Sequence, residues 1–156
     1  MAPVIRPYRP GDRAACQLIF YRAIMEGTGS CLTEAERAAW AGSPEPDLSE
    51  PDKLVGQWCW IAEEDGRATG FMSLCQDGLL DMAFVIPEVM GRGTAAALYD
   101  SLLAKARAEG LTRLTVLASD WSRSFLVKRG WQVDAAGMQD FDGHLYHLAE
   151  MSLAPV

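Results

Sequence analysis

The order of textures along the chain predicts a mixed α/β fold, with a mostly antiparallel central sheet and helices on both faces. Three observations carry this expectation. A short strand precedes a helical stretch in the first third; β-rich runs split by tight turns fill the middle; the last third alternates strand and helix and ends on two strands. The chain has 156 residues, 49% of them hydrophobic and 22% charged. That is enough apolar material for one domain over 1–156 with its own core.

Val4 to Tyr8 reads as the first strand, and the turn after it offers Asp12 as the N-cap of a helix from Arg13 to Met25. The apolar positions of that helix (Ala15, Leu18, Ile19, Ile24, with the stem of Arg22) fall unevenly, and the stretch Glu26 to Ser30 ends it. Thr33 and Glu36 have capping-box spacing, opening a short helix through Trp40 that stops at Gly42. Ser43 to Asp52 holds three prolines and four acidic residues and reads as a loop that covers a site or moves. Trp58 to Ala62, Thr69 to Leu74 and Gly78 to Ile86 form an antiparallel meander with turns at Asp65-Gly66 and Asp77-Gly78. Gly93 to Glu109 is the longest helix, with Ala95, Leu98, Leu102 and Ala106 at spacings of three and four. A strand at Leu114 to Ala118 follows, then a helix from Trp121 to Arg129 capped by Asp120. Strands at Trp131 to Val133 and His144 to Leu153 complete the chain.

Composition narrows the functional classes. No apolar run reaches the roughly 18 residues that span a bilayer, and the first residues lack the plan of a secretory signal, so the expected setting is cytoplasmic with no membrane partner. Acidic residues outnumber basic ones 21 to 14, and such a field repels nucleic acid. The four cysteines form no CxxC pair and read as free thiols. His144 and His147 lie three apart on a strand, hence on opposite faces, which argues against a shared metal.

The run from Asp81 to Leu98 carries the chemistry. An apolar strand ends at Pro87, and a loop with two glycines opens directly into the long helix. The first N–H groups of a helix have no internal partner and carry the positive end of its dipole, so this loop is suited to an anion. Gly91 and Gly93 let the backbone approach a phosphate closely. The glycine loop without a ligand is the equally simple reading of spacing alone.

Met90-Gly91-Arg92-Gly93-Thr94-Ala95 resembles the Q/R-x-x-G-x-G/A signature of the GCN5-related N-acetyltransferases, the GNAT superfamily. Ser119, Ser122, Phe125-Leu126 and Gly130-Trp131 resemble that family's N-x-x-A-x-x-F-Y-x-x-x-G-F element, and the order of elements matches from Val4 to Leu153. The resemblance implies the GNAT-like acyl-CoA N-acyltransferase fold and acetyl-CoA as cofactor. It implies transfer of the acetyl group to a primary amine of a small molecule or peptide N-terminus by direct attack, without a metal. Backbone N–H groups of Gly91, Arg92, Gly93, Thr94 and Ala95 would hold the pyrophosphate of coenzyme A. Phe84, Val85 and Ile86 would pair their main chain with the pantetheine arm. Met90 stands at the usual Gln or Arg position, Arg92 adds a cation between the glycines, and Phe125 stands at the motif's Phe. Ser119 replaces the usual Asn, and Leu126 replaces the Tyr that in many members protonates the leaving thiolate.

Asp81, at the head of the cofactor strand, is the first candidate for the base. Strand alternation places it on one face with Ala83 and Val85, where apolar surroundings would raise its pKa. A solvent-facing aspartate beside a turn is the alternative. Ser119 with Asp120 is the second candidate. By analogy with the family, Tyr21, Met25, Trp40, Trp60 and Phe71 are candidate linings of the acceptor pocket, and core packing accounts for them as well. Tyr146 is a candidate to replace the missing tyrosine, and the resemblance makes a homodimer common. Two rival readings stay open: a coenzyme A-binding module with weak or lost catalysis, motivated by Leu126, and an interaction domain whose glycine loop binds nothing.

Overall fold

Two antiparallel sheets meet at a single point and then part. The computed structural model describes residues 2–29 and 31–155; Met1, Ser30 and Val156 lie outside them. The first sheet has the order β1-β2-β3-β4, built from β1 (Val4–Pro7), β2 (Trp58–Glu64), β3 (Arg67–Leu74) and β4 (Leu80–Val85). The second has the order β5-β7-β6, from β5 (Leu114–Ser119), β6 (Gln132–Phe141) and β7 (His144–Leu153). Helices α1 (Arg13–Gly27), α2 (Glu34–Ala41), α3 (Thr94–Ala108) and α4 (Asp120–Val127) complete it.

Strand alternation places helices on both faces, as expected. Phe71 of β3 and Ile61 of β2 face α1, where they pack with Cys16 and Ile19. Met72 and Leu74 face the other way, onto Leu98, Leu102 and Ala106 of α3. The uneven apolar positions of α1 resolve into a buried face of Cys16, Ile19, Ala23 and Ile24: Ile19 and Ile24 are buried as read, Ala15 is half-buried and Leu18 is exposed. The second sheet joins the α3 core through Leu114 and Met151, and Trp131 donates its indole N–H to Tyr99 Oη at 2.9 Å inside it.

The junction between the sheets is narrow. Leu79 and Thr115 form an isolated parallel bridge, and the Thr115 N–H donates to Gly78 O at 3.0 Å. Gly78 has φ +100°, and a Cβ there would come within 2.5 Å of the Arg113 carbonyl oxygen. Only glycine gives both that backbone conformation and that approach. Beyond the bridge β4 and β5 are the edges of their respective sheets and separate as a fork.

Several local expectations change. Asp12 does not cap α1 through its side chain: it ends a preceding 3-10 turn, Pro10–Asp12, and its carboxylate accepts from Arg9 N–H at 2.7 Å. Both its oxygens also accept from the Arg6 guanidinium, at 2.7 and 2.8 Å, and Arg6 reaches on to Glu63 at 2.6 Å. Asp120 does not cap α4 either. Ser119 holds that position, and Asp120 pairs with His147 Nδ1 at 2.6 Å. The Thr33–Glu36 capping box forms as read. The acidic loop 43–52 is tied down to α1, with Arg13 donating to the carbonyls of Asp47 and Glu50 at 2.9 Å each and Gln17 to that of Ser43 at 2.8 Å. β6 runs ten residues, far beyond Val133. Most of it is exposed, so no one-sided apolar alternation marks it in the sequence.

Two stability outcomes follow. Gly78→Ala, which adds a Cβ against main chain at a positive φ, is expected to lower unfolding free energy by at least about 2 kcal/mol in denaturant titration; a change under about 0.5 kcal/mol would remove Gly78 as the hinge of the fork. The Arg6 guanidinium holds the Asp12 carboxyl below its usual range. A carboxyl depressed in the folded state contributes stability above its unfolded pKa of about 3.9 and loses it as pH falls through the folded value. Asp12→Asn should therefore flatten the fall in stability on the acid side of that pH; an unchanged slope in acid titrations monitored by circular dichroism would contradict the linkage.

Candidate active site

The fork encloses a cavity of about 390 Å³, lined from β4, β5, the glycine loop, α4, and the ends of α1 and α2. Its β4 wall is a bare strand edge. The Ile86 N–H donates to Thr69 O at 2.9 Å, and in an antiparallel pair the residues bonded to the neighbour alternate. Ile86 and Phe84 therefore spend their main-chain groups on β3, whereas Val85 and Ala83 turn theirs to the fork. The three residues Phe84, Val85 and Ile86 are thus divided by geometry, and Ala83 joins Val85. Phe84 also lines the cavity and meets Phe20 of α1 edge-on, with centroids 4.9 Å apart. The Ile86 side chain is buried against α1.

At the mouth, a 3-10 turn at Pro87–Val89 leads into the glycine loop. Gly91 and Gly93 have φ +75° and +88°, and a Cβ at either would meet nothing within 4 Å. Gly93 is the N-cap of α3 and supplies no side-chain cap, which leaves the first-turn N–H groups available. Thr94, the next residue, is 1% exposed, and its Oγ1 is buried with no hydrogen-bond partner among the described residues. An orphaned hydroxyl beside uncapped N–H groups and an open glycine surface fits a phosphate-bearing ligand that runs along β4. Met90, Gly91 and Ala95 line the cavity; Arg92 is half exposed, 3.9 Å from Glu64 Oε1. The Met90 methyl reaches across to Gly27 of α1, where any Cβ would overlap it.

The loop is also held from a side that the sequence reading missed. Arg22 of α1 donates to both oxygens of Glu88, at 2.5 and 3.1 Å, and holds that carboxyl below its usual range. A stem-only role for Arg22 is thereby corrected: its head group joins α1 to the turn before the glycines.

Asp81 lines the cavity, but not by simple alternation. Ser73 opposes Met82 and Leu74 opposes Leu80, so Asp81 is the extra residue of a bulge. Leu80 consequently shares the α3 side with Ala83, and the Asp81 carboxylate lies among polar partners instead of apolar surroundings. Gln57 Nε2 donates to its Oδ2 at 2.9 Å and Lys53 Nζ stands 3.1 Å from the same oxygen. Oδ1 is left without a partner among the described residues. Ser119 is buried at the end of β5, with its Oγ 3.0 Å from Ser122 Oγ; both line the cavity, as do Phe125 and Leu126.

The expected acceptor linings are dispersed. Trp40 lines the cavity, with its ring 5.2 Å from that of Trp121 and 5.1 Å from that of Tyr146. Phe71 is buried and faces a separate pocket of about 220 Å³ between α1 and the acidic loop. Trp60 points to the α3 side of β2, because the register that sends Ile61 to α1 sends its neighbours away. Tyr21 and Met25 are half-buried and line neither cavity. Tyr146 donates its hydroxyl to Glu36 O at 3.2 Å and packs, so it does not stand in for the missing tyrosine. Trp121 and Gln57 were not singled out from sequence. The first directly follows the Ser119-Asp120 strand end, a signal available there; the second is visible only through the bulge.

The fork, its bare edge and the glycine-opened helix define an α/β fold built to take an extended phosphate-bearing ligand between two sheets. Residues 50–153 match the acetyltransferase (GNAT) domain family. The chain is 34% identical to YafP, an uncharacterised N-acetyltransferase of Escherichia coli K12, over 82% of this chain and 80% of that protein. It superposes on a GCN5-related N-acetyltransferase from Rhodopseudomonas palustris with a TM-score of 0.91 and 32% identity, covering 99% of this chain and 96% of the other. The fold is shared with the PaiA N-acetyltransferase of Thermoplasma acidophilum, solved in complex with coenzyme A (TM-score 0.76, 16% identity, 99% of both chains). The chain therefore belongs to the GNAT family of acetyltransferases.

Gly93→Asp places a carboxylate and a side chain where the anion would sit. Calorimetric titration with acetyl-CoA should show affinity lost by at least about a hundredfold, roughly 2.7 kcal/mol, in a variant that remains folded by circular dichroism; unchanged affinity would displace the glycine loop as the phosphate site.

Proposed function

We propose that this chain moves the acetyl group of acetyl-CoA to a primary amine of a small molecule or peptide N-terminus by direct attack. The observation that carries this reading is the fork itself: a strand edge with outward main-chain groups, leading from an uncapped helix N-terminus to a carboxylate. Acetyl-CoA supplies an activated acetyl group as a thioester. Gly91 to Ala95 hold its pyrophosphate through main-chain N–H groups, Thr94 Oγ1 gains a partner there, and Arg92 adds charge. The outward groups of Ala83 and Val85 pair with the pantetheine arm, and an N–H of that edge polarises the thioester carbonyl.

Asp81 receives the acceptor's ammonium on Oδ1 and takes one proton, which frees the nitrogen lone pair; the nitrogen then bonds to the acetyl carbon, the carbon–sulfur bond breaks, and the second N–H proton passes to solvent. Gln57 and Lys53 fix the other oxygen, so the carboxylate does not turn away. Leu126 offers no proton to sulfur. A cysteine thiol has a pKa of about 8.5 and a thiol farther from electron-withdrawing groups is a weaker acid, so departure as thiolate costs at least about 2 kcal/mol at pH 7 relative to the thiol. Such a penalty slows turnover by at least about thirtyfold. Ser119 and Ser122 are the hydroxyls nearest that role. Leu126 also supports the second reading, a coenzyme A-binding module with weak or no catalysis, which cofactor binding without turnover on a broad amine panel would favour.

Asp81→Asn is expected to lower kcat for acetylation at least about tenfold, about 1.4 kcal/mol, while leaving acetyl-CoA affinity within about twofold. Equal kcat in the two proteins, followed by thiol release, would reject Asp81 as base.

A further inference from the structure

The acceptor side of the cavity has a chemistry of its own. Trp40 from α2 and Trp121 from the start of α4 present a pair of indoles, centroids 5.2 Å apart and planes inclined by 53°. Both are only half-buried, so each keeps ring surface toward the space they line. They are also rigid. Tyr146 packs edge-on against Trp40 and is itself tied to the α2 backbone through its bond to Glu36 O, and Leu32 and Leu148 close the cluster behind them. A wall that is held in place before any ligand arrives binds apolar surface without an ordering cost.

The charges around it are as informative. Among the described residues lining the cavity, Asp81 is the one that carries charge, and no lysine, arginine or histidine lines it. Lys53 approaches Asp81, but it lines the separate pocket beside α1. An acceptor with its own carboxylate would bury that group without a cation, which costs more than the remaining contacts return. A polyamine would find a carboxylate for one ammonium and two indoles for the next, with no second acid in the cavity.

We infer, resting on the acetyltransfer reading above, that the acceptor is a primary amine carrying an aromatic or bulky apolar body and no carboxylate. Its body lies on the Trp40–Trp121 wall and its ammonium meets Asp81. The chain's net charge of −7 draws such a cation toward the molecule. Transfer then forms the amide C–N bond and breaks C–S, and sulfur leaves as thiolate. Of the three ammonium protons the amide keeps one, one leaves by way of Asp81 before the nitrogen attacks, and the other passes to the medium after it.

The test uses matched pairs on the full-length chain. Initial acetylation rates are measured with 2-phenylethylamine against phenylalanine, tryptamine against tryptophan, and putrescine. Alongside, each amine is titrated calorimetrically into protein saturated with coenzyme A, where no transfer occurs. The carboxylate-free aromatic amines should exceed their amino acids and putrescine by at least about tenfold both in kcat/KM and in affinity. Trp40→Ala should raise KM for 2-phenylethylamine by about tenfold with acetyl-CoA affinity within about twofold, and Trp40→Phe should recover most of the loss. Preference for an amino acid or for putrescine overturns the inference while leaving the acetyltransferase reading intact. Failure to bind acetyl-CoA overturns both. Because the wild-type comparison needs no variant, misfolding of Trp40→Ala leaves the outcome decidable.

Discussion

The architecture depends on one close approach, at Gly78, where the turn before β4 touches the start of β5 and the two sheets are joined. Main chain can come that near to main chain only if no Cβ intervenes. Past that point the natural twist of each sheet carries the edges apart, and neither edge finds a neighbour. Elsewhere in proteins a bare edge is blunted with charge, proline or a covering segment. Here it borders a cavity floored by apolar side chains, which leaves its outward N–H and C=O groups open to a ligand lying along it. In the proposed reading the cofactor takes the place of a strand that the chain itself does not supply.

The two halves of the cavity use different chemistry, and this explains their unequal visibility in the sequence. The half proposed for the cofactor is made of main chain: glycines, a helix start and a strand edge. Such features need particular residue types at fixed spacing, so Met90 to Ala95 and the Ser119 to Trp131 element could be read directly. The half proposed for the acceptor is made of side chains brought together from α1, α2, β4 and α4. Nothing in the local pattern distinguishes Trp40, which lines the cavity, from Trp60, which packs under α3. That difference is set by β2 register and by where α2 docks, both of which are long-range.

Asp81 shows a subtler limit. Its identity and its place on β4 were legible, but its environment was not, because a bulge of one residue changes which neighbours alternate with it. The polar setting made by Gln57 and Lys53 comes from a 3-10 turn at Lys53–Gly56 and the residue after it, a segment that carries no motif. Charged capping residues were similarly ambiguous. Asp12 and Asp120 both sit at helix starts in the sequence, yet neither caps the helix that follows it, and each engages a side chain of another element, the Arg6 guanidinium or the His147 imidazole. Sequence spacing does not reveal where such a partner will be.

The contact between the Met90 methyl and Gly27 bears on how such a protein diversifies. Thioether side chains turn easily about three bonds, so a larger residue at position 27 would push the methyl aside instead of unfolding the helix. Variation at the end of α1 would then be registered as a change in the shape of the cavity mouth, with stability little altered. Positions 27 and 90 are therefore expected to drift together among related chains, as a pair through which ligand preference changes while the fork that holds them stays the same.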